Sequence, residues 1–374
     1  MNAKFVKVMS PEQAAAETKG WHAVRNVLRV PHLLGWNLHE RYHTVVYEDV
    51  FANGRCEHLL GDCIALADHG LTDGTPVQQL VAGACADLVR SVAQHGEQAA
   101  LADSVTTLHA PRLRRGGRLD LWYAPDSILN IGGTRVTVAD LAAFELVVNG
   151  ERRRLDITAI IEQSRQRLHL RSCWMTALTQ GDPTEPNIAY PKTWLDFEHA
   201  GRNILAADVA NLLWYLLGMG GWLVPKYQPD VYQRTLRHRL PPVTTPVASH
   251  LEVSQRHRRI DVGAQWRVGP GRAAALETLT AQLRGQLGQA CTDGSADLLG
   301  CLRPFLVTRI LGVIHLATLD GMDTALCLAK LAQLQDLQTG LGSLLADLVV
   351  HPGDSGSLVC QTRVRRSCSA KDSS

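Results

Sequence analysis

Apolar and polar positions alternate from Ala3 to Met9, the period-two pattern of a half-buried strand. Ser10-Pro11-x-Gln13 follows with a cap residue, a proline in the first turn and a capping-box partner, and predicts a helix running to about Asn26. Thr44 to Val50, carrying Val45, Val46 and Tyr47 ahead of Glu48 and Asp49, reads as a further strand. From Val77 to Ala99, Leu80, Val81, Cys85, Leu88, Val89 and Val92 recur at helical spacing, and Thr158 to Leu168 predicts a second long helix. An apolar lead-in (Trp174, Met175, Ala177, Leu178) then enters a polar loop, and the chain returns as a short strand at Thr193, Trp194 and Leu195. Val209 to Pro225 is the longest uncharged run; it is marginal in length for a membrane span, contains Gly218, Gly220 and Gly221, and reads as a buried helix. Helices are expected at Ala273–Leu287, Leu298–Thr318 and Met322–Val349.

Between the first two long helices the pattern changes. Pro111 to Arg118 is arginine-rich, Thr134 to Val138 is strand-like, and Asn149-Gly150 between Val147-Val148 and Glu151-Arg152-Arg153-Arg154 is a hairpin signal. These arginines suit a phosphate, an acidic ligand or a peptide; the alternative is a solvated basic β-ribbon with no ligand. Arg237 to Arg259 is rich in proline and arginine and reads as an exposed loop, and residues 362–374 as a disordered polar tail. Pro352-Gly353-Asp354-Ser355-Gly356-Ser357 looks like the nucleophile loop of a trypsin-like protease, but that chemistry also needs a histidine and an aspartate on a β-barrel. A turn after the last helix is the better reading.

The chemistry concentrates between residues 176 and 215. Asp182 and Asn187 lie five residues apart in one polar loop, and Asp196 stands at the end of the returning strand. Two carboxylates and a carboxamide on one edge are hard oxygen donors of the kind magnesium prefers. Gln180-Gly181-Asp182 through Asn187, then Leu195-Asp196-Phe197-Glu198, then Asp208-Val209-Ala210, resemble in order the three motifs of the aminoglycoside phosphotransferase and choline kinase-like branch of the protein-kinase-like superfamily. The resemblance implies that Asp182 orients or deprotonates an acceptor hydroxyl, that Asn187 and Asp196 bind Mg2+ beside ATP or another nucleoside triphosphate, and that Glu198 assists the metal. Gln180 replaces the family's histidine, and its amide is likewise able to donate and accept.

The resemblance extends to the amino-terminal residues. Lys7 and Glu17 are similar to the lysine and helix glutamate whose ion pair positions nucleotide phosphates, the alternative being a surface lysine and a solvated glutamate. Val30 to Gly35 resembles the approach to the next strand, and Tyr47, Glu48 and Val50 fall where the hinge backbone meets adenine. Only six residues precede Lys7, whereas the family's two covering strands and glycine-rich turn take about 15–25 residues at ordinary strand lengths. Cover for the phosphates is therefore expected from the Arg112–Arg118 segment or from a partner protein, unless phosphate transfer has been lost. No Gly-x-x-x-x-Gly-Lys occurs, which excludes a P-loop.

Composition narrows the classes. With 374 residues, 45% hydrophobic, 20% charged and a formal charge of +2, the sequence describes an ordinary globular protein without a polyanion partner, so neither nucleic acid nor membrane is expected. The nine cysteines are odd in number and show no Cys-x-x-Cys, which points to reduced core residues in the cytoplasm. Lys4 and Lys7 interrupt any apolar leader.

The expected fold is α+β and bilobal: a small truncated β-rich lobe with its hinge strand over 1–50, and an α-rich lobe over 51–364. The larger lobe would hold an insertion at about 108–156, a catalytic core at 174–225 and helices over 273–350, with a disordered tail at 365–374. The expected activity is transfer of a γ-phosphate to a hydroxyl on an antibiotic-like small molecule, or on Ser or Thr of a peptide matured together with a partner lyase. Candidate acceptor contacts are Glu185, Arg114, Arg115 and Arg118. The reading from a different class is a catalytically silent kinase-like protein that binds a peptide or partner.

Overall fold

The computed structural model describes residues 3–350 apart from 40–41, 105–107, 171–172, 239, 244–245 and 293–296. The protease-like Pro352–Ser357 segment and the expected tail lie outside the described residues.

The alternating start forms β1 (Lys4–Met9), and Ser10 caps α1 (Pro11–Val24) through the predicted capping box with Gln13. With β2 (Leu33–Leu38) and β3 (His43–Glu48) these build an antiparallel sheet ordered β1-β3-β2. Its register pairs Phe5 with Tyr47 and Lys7 with Val45. Cross-strand partners share a face, so Phe5 and Lys7 project on the side where Tyr47 and Val45 are buried.

A short β4 (His58–Leu59) leads into α2 (Leu60–Asp68) and α3 (Thr75–His95). The pattern predicted helix as far as Ala99, but the chain leaves α3 at Gly96 and makes β5 (Glu97–Ala99) instead. In the insertion come α4 (Ala110–Leu113), α5 (Arg118–Trp122), the hairpin β6 (Ile128–Ile131) and β7 (Thr134–Thr137), α6 (Val138–Leu141), and the hairpin β8 (Glu145–Val148) and β9 (Glu151–Arg154). The Asn149-Gly150 turn takes left-handed φ values of 52° and 84°, as a two-residue hairpin requires. Helix α7 (Ile157–Leu170) then leads to β10 (Trp174–Thr179), which lies between β13 (Gly201–Ile204) and β5. Strands β11 (Ile188–Tyr190) and β12 (Thr193–Trp194) carry the chain between loop and return.

The uncharged run becomes α8 (Leu205–Trp214), continued by a π-helix over Tyr215–Leu223, α9 (Val224–Tyr227) and α10 (Pro229–Thr235). The segment Leu205–Tyr227 and the later Leu298–Thr318 are long and apolar enough for a membrane, yet 94% and 83% of their apolar windows are buried inside the fold. In the wide π-turn a Cβ on Gly220 would lie 2.2 Å from Glu185 Oε1, so the missing side chain is what lets that carboxylate enter.

The supposed loop at 237–259 contains β14 (Val247–Ser254), and β15 (Arg259–Val268) follows with Ile260, Val262, Ala264, Trp266 and Val268 facing inward. These strands recruit the inserted hairpin: β15 runs parallel to β8, so the insertion is part of a five-stranded sheet rather than a separate ribbon. Helices α11 (Pro270–Arg284), α12 (Gln286–Thr292), α13 (Leu298–Gly312), α14 (Gly321–Gln335) and α15 (Leu341–Leu344) complete the chain. The helix expected over 322–349 stops at Gln335, and β16 (Leu348–Val350) joins β15 in parallel. One continuous apolar cluster reaches from Trp21 and Tyr47 to Leu334 and Leu344.

Candidate functional site

Glu17 is completely buried on α1 and gathers three groups. Its Oε1 meets Lys7 Nζ at 2.8 Å and accepts from the Tyr47 hydroxyl at 2.9 Å, while Oε2 accepts from the Phe197 N–H at 2.9 Å. Lys7 also pairs with Asp196 Oδ1. Burial raises the Glu17 carboxyl and Lys7 opposes the rise; burial works against the Lys7 ammonium, but Asp196 and Glu17 lift it above its ordinary value. The helix is locked to the Asp196 segment by contact as well, since a Cβ on Gly20 would sit 1.9 Å from the Phe197 carbonyl oxygen.

The polar loop after β10 is held from within. Gln180 donates to the carbonyl oxygens of Leu195 and Asp196 and accepts from the Asp182 N–H, so its amide braces both acids. Asp182 Oδ1 accepts from Asn211 Nδ2 at 2.6 Å, and Asn187 Nδ2 donates to the Asp182 carbonyl at 2.9 Å. Beneath them Asp208 is buried; its carboxylate takes the Thr179 hydroxyl and the Gly181 N–H, and burial raises its pKa to about 7.

Asp196 has φ 61°, a left-handed conformation costing a residue with a side chain about 1–3 kcal/mol where the surroundings enforce it. Its side chain is 36% exposed and opens, with Lys7 and Asn187, onto a cavity of about 670 Å³. Tyr47, Glu48 and Val50 line the same cavity, as do Phe5, Phe51, Arg234 and Arg237. Glu48 forms an ion pair with Arg55, and the Arg237 guanidinium lies 4.4 Å from the Phe51 ring centroid.

No group of three or more His, Cys, Asp or Glu positioned to hold a metal occurs among the described residues. A carboxylate and a carboxamide on one cavity wall nonetheless fit magnesium, which keeps several waters and takes few protein oxygens beside phosphates. Glu198, expected near the metal, instead meets His199 Nε2 at 3.0 Å, and that hydrogen bond lowers its pKa. Burial works against the His199 imidazolium, but Glu198, Asp182 and Asp196 raise it above its ordinary value.

Other expected contacts are placed differently. Glu185 is buried and forms an ion pair with Arg272 at 2.6 Å, so it anchors the loop internally rather than meeting an acceptor. Arg114, Arg115 and Arg118 are exposed and none lines the cavity; Arg115 pairs with Glu162, and Arg118 donates to the Gly312 carbonyl. The expected cover from Arg112–Arg118 therefore does not lie over this cavity. Its arginines come from the end of α10 and the residues after it, a contribution that no motif marked. Asn211 and His199 also went unmarked; the signal for Asn211 was its position one helical turn beyond Asp208, on the same face of α8.

No family model matches the sequence, and no curated protein matches it. Among solved structures, the chain overlaps a glucosamine kinase in complex with glucosamine, ADP and inorganic phosphate at 17% identity and TM-score 0.40, covering 82% of this chain and 66% of that one. It overlaps a Streptomyces rimosus aminoglycoside phosphotransferase in complex with ADP and streptomycin at 13% identity and TM-score 0.35, covering 74% and 87%. An aminoglycoside-3'-phosphotransferase of type VIII overlaps at 13% identity and TM-score 0.37, covering 81% and 84%. The matched region spans 66% of the glucosamine kinase's own length. Overlaps this distant carry no residue role and no activity to this chain.

Proposed function

We infer that the protein is a phosphotransferase that moves the terminal phosphoryl group of a magnesium nucleotide, ATP in the first instance, to a hydroxyl. The observation that carries this reading is the convergence of Lys7, Glu17, Asn187 and a left-handed Asp196 around one cavity, with Asp182 hydrogen-bonded behind Asn187. In this reading Tyr47, Glu48 and Val50 border the base, and Lys7, held by Glu17, meets the phosphates. Arg234 and Arg237 supply cover from the same chain. Asn187 and Asp196 hold magnesium, which when bound neutralises charge on the transferring group. Asp182 orients the acceptor hydroxyl and takes its proton as the oxygen bonds to phosphorus and the nucleoside diphosphate leaves. A small-molecule acceptor in the cytoplasm is the simplest form; nothing in the geometry favours a peptide. A silent partner-binding role has no need of a strained Asp196 aimed into a cavity.

Magnesium-dependent ATP hydrolysis without acceptor, water standing in for the hydroxyl, tests the reading. Asp182→Asn is expected to lower the rate by about 10²–10⁴ with ADP affinity little changed. Asp196→Asn is expected to remove the magnesium dependence of ADP binding. A full-rate Asp182→Asn variant, or undiminished magnesium dependence in Asp196→Asn, would overturn the corresponding assignment.

A further inference from the structure

Helix α13 packs against α8, α7, α4 and α5. Arg309 on this helix is only 6% exposed, its Nε has no hydrogen-bond partner, and it forms no ion pair with any described residue. One turn further on, a Cβ on Gly312 would meet the Arg112 side chain at 3.0 Å, so Arg112 lies across the same face. One turn back, Phe305 meets the His109 ring edge-on at 5.1 Å; His109 is 2% exposed, and its Nδ1 is also without a partner. Burial and the neighbouring Arg309 and Arg112 push His109 well below its ordinary value and hold it neutral.

Arg309 is thus enclosed beside a half-buried Arg112, which itself donates to the Leu108 carbonyl, and α13 packs on α8, whose Asn211 holds Asp182. Asp182 is already engaged with Asn211 and Asn187. A buried cation without an ion-pair partner is costly, and its retention calls for a compensating anion that no described residue provides as an ion pair. The nucleotide cavity is not where that anion would sit, because neither Arg309 nor Arg112 lines it.

We propose that Arg309 and Arg112 form an anion site on the acceptor side of Asp182, taking a carboxylate or phosphate group carried by the acceptor; this rests on the phosphotransfer reading of Asp182. The guanidinium fork matches either anion in a bidentate way. The acceptor is then an anionic alcohol, such as a hydroxy acid or a phosphorylated alcohol. A polycationic acceptor would meet like charge beside the reacting hydroxyl.

The test titrates inorganic phosphate into the full chain without nucleotide. The parent is expected to bind saturably, Arg309→Met and Arg112→Met to bind at least about tenfold more weakly, and Arg115→Met to match the parent. Arg309→Met should at the same time raise the thermal midpoint of the ligand-free protein, because it removes an uncompensated buried charge, whereas loss of a structural arginine lowers it. Failure of the parent to bind phosphate, or binding that survives Arg309→Met because Lys7 holds the ion, overturns the site. ADP and ATP titrations with magnesium separate the two sources of phosphate. Affinities within about twofold of the parent in Arg309→Met support an acceptor site, and a loss confined to ATP assigns the arginine to the nucleotide and overturns it. Phosphate binding is read without magnesium or nucleotide, whereas the phosphotransfer reading is tested by magnesium-dependent ATP hydrolysis of the parent, so the two fail in separate measurements.

Discussion

Asp208 shows how much a single buried carboxyl sets the character of the polar loop. Its folded pKa of about 7 stands against an ordinary value of 3.8, with burial as the first cause and the Asp182 charge adding to it. Below the ordinary value the group is protonated in both folded and unfolded states and imposes no penalty. Between the ordinary value and about 7 the folded protein keeps the proton that the unfolded chain has released, so stability falls across that interval and levels off above it. Asp208→Asn removes this dependence. Unfolding free energies by denaturant titration should shift in favour of the variant by about 2–3 kcal/mol between pH 5 and pH 8, at about 1.4 kcal/mol for each pKa unit traversed. A constant difference between variant and parent across that range would show that Asp208 ionises normally.

At the scale of elements, the loop carrying Asp182 and Asn187 depends on a helix distant in sequence. Glu185, between them, is held by Arg272 at the start of α11, and Arg272 Nη1 also donates to the Leu216 carbonyl in the π-helix. Asp68 at the end of α2 accepts from the Gly271 and Arg272 N–H groups, which fixes where α11 begins. Removing one partner of a buried ion pair strands the other. Arg272→Met should therefore cost about 3–5 kcal/mol in denaturant unfolding, and adding Glu185→Leu should recover most of the loss, because an apolar pair of similar volume is commonly no worse than the ion pair. Equal destabilisation in single and double variants would mean that Arg272 acts through its contact with Leu216 rather than through Glu185.

For the whole molecule, the cavity is where remote parts of the chain meet: β1 and α1, the residues after β3, the Asn187 loop, the Asp196 segment and the stretch around Arg234 to Arg237. Its cover is sparse, since β1 is an edge strand and Phe5, which lines the cavity, remains 51% exposed. Hydrogen bonds to a charged partner contribute about 1.5–3 kcal/mol, so the two arginines should account for much of the affinity. Replacing Arg234 and Arg237 together by Ala is expected to weaken magnesium–ADP binding at least about tenfold in calorimetric titration, with the unfolding midpoint little changed. Unaltered affinity would leave Lys7 and the hinge as the only determinants.

Local signals determined much of this protein. The capping box at Ser10 and Gln13, the Asn149-Gly150 hairpin and the apolar face of α3 each depend on residues a few positions apart, and each took the form that spacing dictates. Tertiary structure decided what local pattern cannot encode. Trp266 on β15 reaches the Leu217 carbonyl, and β15 binds the inserted hairpin across more than a hundred residues, so a stretch read as loop acquired a strand and the last predicted helix ended early. The same holds for charge. Glu185 looked available to a ligand beside Asn187 but was drawn inward because Arg272 and the space at Gly220 were there to receive it. Arg114, Arg115 and Arg118 stood out in sequence by their density, yet density does not say which arginine is turned from water. Only packing could leave Arg309 enclosed with its Nε unpaired among the described residues, because the energy of a buried charge depends on the groups the fold brings around it.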